Sequence, residues 1–158
     1  MPTVYLGLGT NIGYKKENLT RAIEALSLAL GRYTSLSSFL ETAPWGFESD
    51  NTFLNCVVSF ETDLTPQELL DTTERIERGL GRTVKSNGGI YHDRTIDIDI
   101  LLYGSEIIKT PRLTIPHPLM HQRAFVLEPL AEIASDLVHP TIGKSIKQLA
   151  NEQNNGKY

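Results

Sequence analysis

The order of hydrophobic periods along the chain limits the possible folds more than any other feature of the sequence. Apolar residues alternate over residues 3–8, which predicts a first strand, and recur at three- and four-residue steps over 17–30, which predicts a helix. Residues 34–41 and 53–62 are rich in β-branched and aromatic side chains and flank a turn-forming loop at 42–51. The first half of the chain is therefore predicted as strand, helix, strand, strand.

A capping box opens the second half of the chain. In the segment TPQE at 65–68, a threonine precedes a proline at the first helical position and a glutamate at the third, and the helix is predicted to end at Gly81. A strand is expected at 95–103 and a short strand at 106–109. We expect a further helix around residues 120–127, followed by a polar, frayed C terminus.

This order of elements is that of the ferredoxin-like split βαβ arrangement. We therefore predict an α+β fold, a ferredoxin-like βαββαβ sandwich with C-terminal additions. The chain of 158 residues is long enough for one hydrophobic core and short for two. Because the sequence contains no internal repeat or interdomain linker, we expect a single domain over residues 1–158.

Charge and composition exclude several classes of function. The net charge of −4 and the pI near 5.5 give no basic excess, so we expect no nucleic-acid partner. Cys56 is the single cysteine, which excludes an internal disulfide and fits a cytoplasmic protein. The sequence shows neither a signal peptide nor a long apolar run, so we expect no association with a membrane.

Two aspartates in the strand predicted at 95–103 are the strongest candidates for chemistry. Asp97 and Asp99 alternate with three isoleucines, so the carboxylates share one face of the strand and the isoleucines share the other. Two residues span about 6.6 Å along a strand, and at an effective dielectric of about 20 such carboxylates repel by about 2.5 kcal/mol. Mg²⁺ removes that cost, and it commonly binds one or two protein carboxylates beside water and phosphate. The alternative is a solvent-facing strand whose polar positions happen to be aspartate.

Basic side chains are concentrated on both sides of this pair. They are His92, Arg94, Arg112, His117, His121 and Arg123. Arginine is preferred where phosphate oxygens are bound by forked hydrogen bonds, so the cluster beside two carboxylates favours a phosphate ligand. Ordinary surface charge is the alternative for any one of these residues.

Other nucleotide and metal signatures do not match the sequence. Residues 7–12 lack the last glycine of the dinucleotide fingerprint, no GxxxxGK[ST] motif occurs, and HDR at 92–94 is not the protein-kinase order. His117 and His121 lack the glutamate of a zinc-binding H-E-x-x-H motif. The glycines near Gly9 are interpreted as a turn at the end of the first strand.

A second group of residues suits a flat ligand. Trp45 and Phe53 offer stacking surfaces, and Asn55, on the same strand face as Phe53, can pair with a ring edge through both a donor and an acceptor. Packing in the core or in a loop is the alternative for both aromatic side chains. If they line a pocket, a heteroaromatic acceptor is indicated.

Taken together, these segments resemble the 6-hydroxymethyl-7,8-dihydropterin pyrophosphokinase family, which is also named 2-amino-4-hydroxy-6-hydroxymethyldihydropteridine diphosphokinase. The resemblance covers nearly the whole chain. It is carried by GTN at 9–11, FLN at 53–55, RTIDID at 94–99, RLTIPH at 112–117, and Arg123 and Phe125. The combination is highly specific, although each piece alone is not.

The resemblance implies an enzyme of folate biosynthesis that transfers diphosphate from ATP to the hydroxymethyl group of 6-hydroxymethyl-7,8-dihydropterin and releases AMP. It implies two Mg²⁺ ions bound by Asp97 and Asp99, and a catalytic role for both aspartates and for Arg94. The residues it implies for ATP are Glu74, Glu77, Lys85, Tyr91, Arg94, Ile100, Arg112, Thr114, His117 and Arg123. It implies no obligate protein partner.

The resemblance also implies a pterin site and a mechanism. The residues of that site would be Thr42, Ala43, Pro44, Trp45, Phe53, Asn55 and Phe125. The pterin hydroxymethyl oxygen would attack the β-phosphorus of ATP in line, while positively charged groups take up the developing charge. Asp97 as general base and metal-assisted loss of the proton are both admissible.

The chain departs from the common family pattern at a few positions. Histidine and aspartate stand at 92–93 in place of glycine and proline, Tyr91 in place of tryptophan, Phe53 in place of tyrosine and Glu74 in place of glutamine. The departures leave the aspartate pair intact and bear on which loop residue contacts phosphate.

The segment at 82–93 is predicted as a flexible lid that closes over both substrates. It lacks an apolar period, contains the run NGG and lies between the second helix and the aspartate strand. A passive surface connection is the alternative.

Two other classes of function are compatible with parts of the sequence. A regulatory ferredoxin-like module that binds a small ligand would share the fold but would not need the aspartate pair. A metal-dependent nuclease or nucleotidyltransferase would use the pair but would need a basic groove.

Overall fold

The computed structural model describes residues 1–42, 52–81 and 96–155. These residues form the following elements in chain order: β1 (Thr3–Thr10), α1 (Lys15–Leu30), β2 (Ser35–Leu36), β3 (Leu40–Thr42), β4 (Phe53–Glu61), α2 (Pro66–Leu80), β5 (Asp97–Tyr103), β6 (Ile108–Lys109), β7 (Thr114–Ile115), a 3-10 turn (Met120–Gln122), α3 (Ala124–Ala134) and α4 (Ile146–Asn155). None of the described helices is long and apolar enough to cross a membrane.

The main sheet confirms the predicted α+β, ferredoxin-like architecture. Its order is β2-β4-β1-β5, with β3 pairing with β4 beside β2, and every pairing is antiparallel. The central strand β1 therefore lies between the longest strand, β4, and the aspartate strand, β5. β6 and β7 form a separate two-stranded hairpin.

The prediction of one continuous strand at 34–41 was wrong. Between β2 and β3, the backbone N–H of Val57 donates to the Ser37 hydroxyl at 2.9 Å, so the regular ladder is interrupted. The Glu132 carboxylate of α3 then accepts from the N–H of Ser38 at 2.9 Å and from its hydroxyl at 2.7 Å. A carboxylate 94 residues away along the chain thus replaces ladder bonds at this edge.

One face of the sheet packs against α1 and α2. The core on this face includes Val4, Leu6, Leu8, Leu19, Leu26, Val58, Phe60, Leu69, Ile96, Ile98 and Ile100. Fully burying one such side chain contributes about 1.5–3 kcal/mol. The isoleucines of β5 therefore point into this core, as their alternation predicts.

The predicted capping box is present at the start of α2: Thr65 Oγ1 accepts from the N–H of Glu68 at 3.2 Å, and Glu68 Oε1 accepts from the N–H of Thr65 at 2.9 Å.

The opposite face is covered by α3 and α4, which pack against each other. The core beneath them contains Val57, Leu101, Leu102, Met120, Val126, Leu127, Leu130, Ile146, Leu149 and Ala150. The pairing of β1 with β5 shifts register between Tyr5 and Leu6. This irregularity allows the successive residues Leu101 and Leu102 to join the same core, while Tyr103 joins the core on the other face.

Other elements also differ from prediction. β1 continues through Thr10, two residues beyond its predicted end. The helix expected around 120–127 is a 3-10 turn followed by α3, which runs to Ala134. The expectation of a frayed C terminus was wrong, because Ile146, Leu149 and Ala150 of α4 are buried at helical spacing.

His139 is a buried titratable residue in the segment between α3 and α4. Its Nδ1 accepts hydrogen bonds from the backbone N–H groups of Thr141 and Ile142, at 3.3 and 3.2 Å, and its ring lies 6.3 Å from that of His121 in an edge-on arrangement. Nδ1 is therefore unprotonated and the imidazole neutral. Burial, and secondarily the charge of His121, lowers the pKa of His139.

We predict that α4 contributes a substantial part of the folding free energy. Leu149→Ala should lower the free energy of unfolding by about 2–5 kcal/mol, because it removes a buried leucine side chain. Gln148→Ala, at the neighbouring exposed position, is the matched control and should leave stability nearly unchanged. Urea unfolding followed by circular dichroism measures both. Equal stability of the two variants would contradict the structural role of α4.

We also predict a pH dependence of stability that comes from His139. Its pKa is lowered in the folded state, so the unfolded chain binds the proton more readily. The contribution of the neutral ring to stability is complete above a pH of about 6.5 and declines as the pH falls below it.

His139→Asn keeps an acceptor for the two N–H groups and removes the titration. Its free energy of unfolding should therefore change less between about pH 5 and pH 8 than that of the unmodified chain. Some dependence should persist, because the pKa of His117 is lowered as well. Parallel pH curves from urea unfolding would show that His139 makes no contribution.

Candidate functional site

A cavity of about 970 Å³ lies on the sheet face that carries α3 and α4, toward the end of the sheet where Phe53, Asn55 and Asp97 lie. Its lining includes Gly7, Gly9, Leu40, Thr42, Phe53, Asn55, Val57, Asp97, Asp99, Gln122, Arg123, Phe125, Glu128 and Gln153. The lining is mostly apolar and holds a few charged and amide groups. This combination is typical of a site for small molecules.

The strand register aligns the polar residues of this floor. Asn55 on β4 is paired with Gly9 on β1, and Gly9 is paired on its other side with Asp97 of β5. Paired residues in adjacent strands point to the same face, and neighbouring strands lie about 4.8 Å apart. The amide and the first aspartate therefore face the cavity from two strands, with a residue that lacks a side chain between them.

A second row, in which a glycine of β1 again lies between a residue of β4 and an aspartate of β5, occurs two residues further along the strands. Val57 is paired with Gly7, and Gly7 with Asp99. The interpretation of the glycines near Gly9 as a strand-end turn was therefore wrong, because both lie within β1. They leave a bare strip of backbone between the side chains of β4 and those of β5.

The two aspartates lie on the cavity face of β5. Asp97 is half-buried and Asp99 is exposed, whereas Ile98 between them is buried in the core on the other face. Within the described ranges, no three His, Cys, Asp or Glu side chains are grouped as a metal site. Two carboxylates on one face nevertheless fit Mg²⁺, which completes its coordination with water and phosphate oxygens.

Asn55 lies at the opposite wall of the cavity. Its side chain is held against β3, where Nδ2 donates to Thr42 Oγ1 at 3.2 Å, and the residue is 7% exposed. Phe53 precedes it by two residues on the same face of β4, and Phe125 at the start of α3 lines the cavity as well. The structure thus brings four of the residues predicted for the pterin into one cavity.

Basic groups approach the cavity from the segment before α3. Arg123 lines the cavity, and its guanidinium carbon lies 5.6 Å from the centre of the Phe125 ring, a cation–π distance. His117 Nδ1 accepts from the N–H of Leu119 at 3.2 Å, which leaves Nε2 as the donor of the neutral ring. Burial lowers the pKa of His117, Asp99 opposes this shift, and Arg123 adds to it.

Arg112 is held by two carboxylates of α2. Its guanidinium donates to Asp71 Oδ1 at 2.6 Å and to Glu74 Oε1 at 2.7 Å. These hydrogen bonds raise the pKa of Arg112. The predicted ATP residues Arg112 and Glu74 therefore contact each other, and neither lines the cavity described above. Thr114 is exposed on β7.

Two other residues predicted for ATP are buried inside the protein. The Glu77 carboxylate is buried and accepts from the backbone N–H of Ile98 at 2.7 Å. The Ile100 side chain is buried in the core with α1 and α2, so any contact of this residue with a nucleotide would involve its backbone. Six predicted site residues lie outside the described residues: Ala43, Pro44, Trp45, Lys85, Tyr91 and Arg94. The lid predicted at 82–93 lies outside them as well.

Several residues that line the cavity were not among the predicted site residues. Gly7 and Gly9 were assigned to a turn, although their two-residue spacing within an apolar alternation is a signal for one strand face. Gln122, Glu128 and Gln153 also line the cavity. Gln153 belongs to α4, a helix that the sequence analysis did not predict, so its position could not be anticipated.

Known proteins that are similar to this chain identify its family. Residues 5–135 match the model of the family described as 7,8-dihydro-6-hydroxymethylpterin-pyrophosphokinase (HPPK). A 2-amino-4-hydroxy-6-hydroxymethyldihydropteridine pyrophosphokinase of Porphyromonas gingivalis is 52% identical over 89% of this chain and 95% of its own length. The enzyme of the same name from Haemophilus influenzae is 44% identical over 97% of this chain and 96% of its own length.

Solved structures support the fold. The crystal structure of Plasmodium falciparum HPPK-DHPS wild type with pteroate has a TM-score of 0.76 to this chain, with 17% sequence identity over 96% of the chain. This chain spans 42% of that protein's chain. Because the family model covers most of the sequence and the relatives are similar over nearly their whole length, this chain belongs to the 7,8-dihydro-6-hydroxymethylpterin-pyrophosphokinase family.

Proposed function

We propose that this cavity binds 6-hydroxymethyl-7,8-dihydropterin beside the phosphates of ATP, and that diphosphate passes from ATP to the pterin hydroxymethyl group with release of AMP. This is the pyrophosphokinase reaction of folate biosynthesis that membership of the family implies. The observation that supports the proposal most strongly is the pairing of Asn55, Gly9 and Asp97 across three strands. It directs a group suited to a ring edge and a group suited to a metal into one cavity.

The wall formed by β3, β4 and the start of α3 is assigned to the pterin. The ring would lie between Phe53 and Phe125, where both faces of a flat ligand can be covered by aromatic carbon. Asn55 would pair with the ring edge through its donor and acceptor, and Thr42 orients the amide. The loop residues Ala43, Pro44 and Trp45 complete this site in the proposal.

The wall formed by β5 is assigned to the phosphates. Asp97 and Asp99 would hold two Mg²⁺ ions, which supply positive charge to the phosphate oxygens when bound. Arg123 at the cavity and the Nε2–H of His117 are donors for phosphate oxygens from the side of α3. Arg94, Lys85 and Tyr91 belong to the nucleotide site in the proposal, by resemblance to the family.

Glu74, Glu77, Arg112, Thr114 and the backbone of Ile100 remain assigned to ATP on the same grounds. For Arg112, binding a phosphate would require exchange of its contacts with Asp71 and Glu74 for contacts with the nucleotide. All three side chains are substantially exposed, and the energetic cost of that exchange is correspondingly small.

The chemistry needs accurate positioning more than covalent assistance. A bond forms between the hydroxymethyl oxygen and the β-phosphorus, the bond from that phosphorus to the oxygen of the α-phosphate breaks, and the hydroxyl proton is lost. Holding the two reactants in line in one cavity accounts for a large part of such a rate enhancement. Asp97, which is in the same row as Asn55, is the nearer of the two aspartates to the pterin wall and is our candidate for accepting the proton.

The direct test is a mixture of the protein, Mg²⁺, ATP and 6-hydroxymethyl-7,8-dihydropterin. We expect AMP and the pterin diphosphate in equal amounts, both dependent on the pterin. Formation of ADP would indicate transfer of one phosphate and would contradict the proposal. Nucleotide release that does not need the pterin would favour a hydrolase or nucleotidyltransferase instead.

We predict that Asp97→Ala and Asp99→Ala each reduce turnover by about two orders of magnitude or more, since each removes a metal-binding carboxylate from the cavity. Glu106→Ala, at an exposed position beyond the other end of β5, is the matched control. Both aspartate variants should melt within a few degrees of the unmodified protein, because their side chains point away from the core of isoleucines. Near-normal AMP formation by either variant would exclude its metal role.

We predict that Asn55→Ala weakens pterin binding roughly tenfold or more, because a ring edge then loses its hydrogen-bond partner in a desolvated site. ATP binding should change little, since Asn55 lies on the other wall of the cavity from the aspartates. Titration calorimetry with each ligand, using Asn151→Ala on the exposed side of α4 as control, separates the two affinities. Equal weakening of both ligands would argue against a distinct pterin wall.

A further inference from the structure

Gly9 lies closer to Asn55 than any residue with a side chain could. It is in the central strand, paired with Asn55 on one side and with Asp97 on the other. A Cβ atom built on Gly9 would lie 2.7 Å from Asn55 Oδ1, which is closer than Cβ atoms are found to other heavy atoms. The carboxamide of Asn55 therefore occupies the space that any other residue at position 9 would need.

The requirement for glycine at this position is one of space. The glycines with positive φ angles in the described part of the chain are Gly13, Gly31, Gly104 and Gly143, so Gly9 has a strand conformation that every residue can adopt. Alanine at position 9 would therefore not strain the backbone. It would instead displace the Asn55 side chain.

Asn55 has little freedom to move aside. On the side of β3, its Nδ2 donates to Thr42 Oγ1 at 3.2 Å, and the residue is 7% exposed. The carboxamide is thus confined between a hydroxyl on one neighbouring strand and the bare Cα of Gly9 on the other. A methyl group at Gly9 would push it toward the cavity or break its contact with Thr42.

We propose that Gly9 is a positioning residue for pterin recognition, acting through Asn55: by lacking a side chain, it fixes where the Asn55 carboxamide presents its hydrogen-bonding atoms. The inference rests on the proposed function to the extent that Asn55 reads the pterin edge. It assigns to Gly9 a role distinct from that of Gly7, which lies on the same strand face. A Cβ atom on Gly7 would lie 3.4 Å from the methyl groups of Leu101, an ordinary contact, and its three nearest atoms all belong to Leu101 rather than to Asn55.

The test is a double-mutant cycle on Gly9→Ala and Asn55→Ala, with pterin and ATP affinities, both KM values and thermal stability measured for each protein. Gly9→Ala alone should raise the KM for the pterin roughly tenfold or more and leave the KM for ATP within about twofold. In the Asn55→Ala background the added methyl should have almost no further effect on pterin affinity, because the side chain it displaces is absent.

Two further glycine variants serve as controls. Gly79→Ala, on α2, places its Cβ where no atom lies within 4 Å apart from the chain neighbours and the nearby backbone of the same helix, so it should leave both KM values unchanged. Gly7→Ala tests whether coupling to Asn55 is specific to position 9. Any change that Gly7→Ala causes in pterin affinity or stability should be the same with and without Asn55→Ala. Coupling to Asn55 that is as strong at Gly7 as at Gly9 would overturn the specific role of Gly9.

Further results of the cycle would support or overturn the role of Gly9. If Gly9→Ala weakens pterin binding by the same factor with and without Asn55, the methyl obstructs the ligand directly and the inference is wrong. If Gly9→Ala destabilises the protein, the Asn55→Ala double variant should recover stability, since the steric conflict is removed. Equal destabilisation in both backgrounds would also overturn the inference.

This design separates the inference from the proposed function. If the unmodified protein and Gly79→Ala form no AMP from ATP and the pterin, the proposed function fails. The stability arm of the cycle still reports whether Gly9 and Asn55 are coupled, because it needs no ligand. If AMP forms normally but the two positions are uncoupled, the inference about Gly9 fails alone.

Discussion

The hydrogen bonding of β1 to β4 on one side and to β5 on the other is the constraint on which the site depends. The side-chain period of a strand is two, so a slip of one residue in either pairing would turn Asn55 or the aspartates to the opposite face. The register is itself fixed by burial. Leu6 and Leu8 of β1 must enter the same core as Val58 of β4 and Ile98 of β5, and once they do, Gly9, Asn55 and Asp97 share the other face. The packing of one face thus determines the chemistry of the other.

Coverage of that second face decides where a ligand can bind. Leu101, Leu127 and Leu149 form part of the apolar contact between the sheet and the helices α3 and α4. Toward Asn55 and Asp97 the floor combines polar side chains and the bare backbone of two glycines with Phe53 and Val57, and the cavity lies there. The start of α3 brings Phe125, and Arg123 immediately before it, to the cavity, while α4 contributes Gln153, so both helices cover the core and line the site. A variant that loosens α4 should consequently affect ligand binding as well as stability.

Much of this arrangement could be predicted from local sequence. The alternation around Asp97 predicts which side of β5 faces the core, and the TPQE segment predicts the start of α2, because both depend on residues close together in the chain. The break between β2 and β3 could not be predicted, since it depends on Glu132 of a distant helix. The strand role of Gly9 was missed because its reason is the side chain of Asn55 on another strand. Likewise, the pairing of Arg112 with Asp71 and Glu74 depends on how the hairpin segment approaches α2, which no local pattern encodes.

The aspartate strand, β5, is fixed by a helix on the core side of the sheet as well as by its pairing with β1. β5 is at the edge of the sheet, so part of its backbone has no strand partner there. At Ile98, between the two aspartates, that role is taken by the buried Glu77 carboxylate of α2, which accepts the backbone N–H at 2.7 Å. A hydrogen bond within a folded protein contributes about 0.5–1.5 kcal/mol net, and leaving a buried N–H without a partner costs about 1–3 kcal/mol. The backbone between Asp97 and Asp99 is therefore anchored to a helix on the core side, while both carboxylates face the cavity. An edge strand fixed in this way presents Asp97 and Asp99 to the cavity at a constant spacing without a further strand outside it.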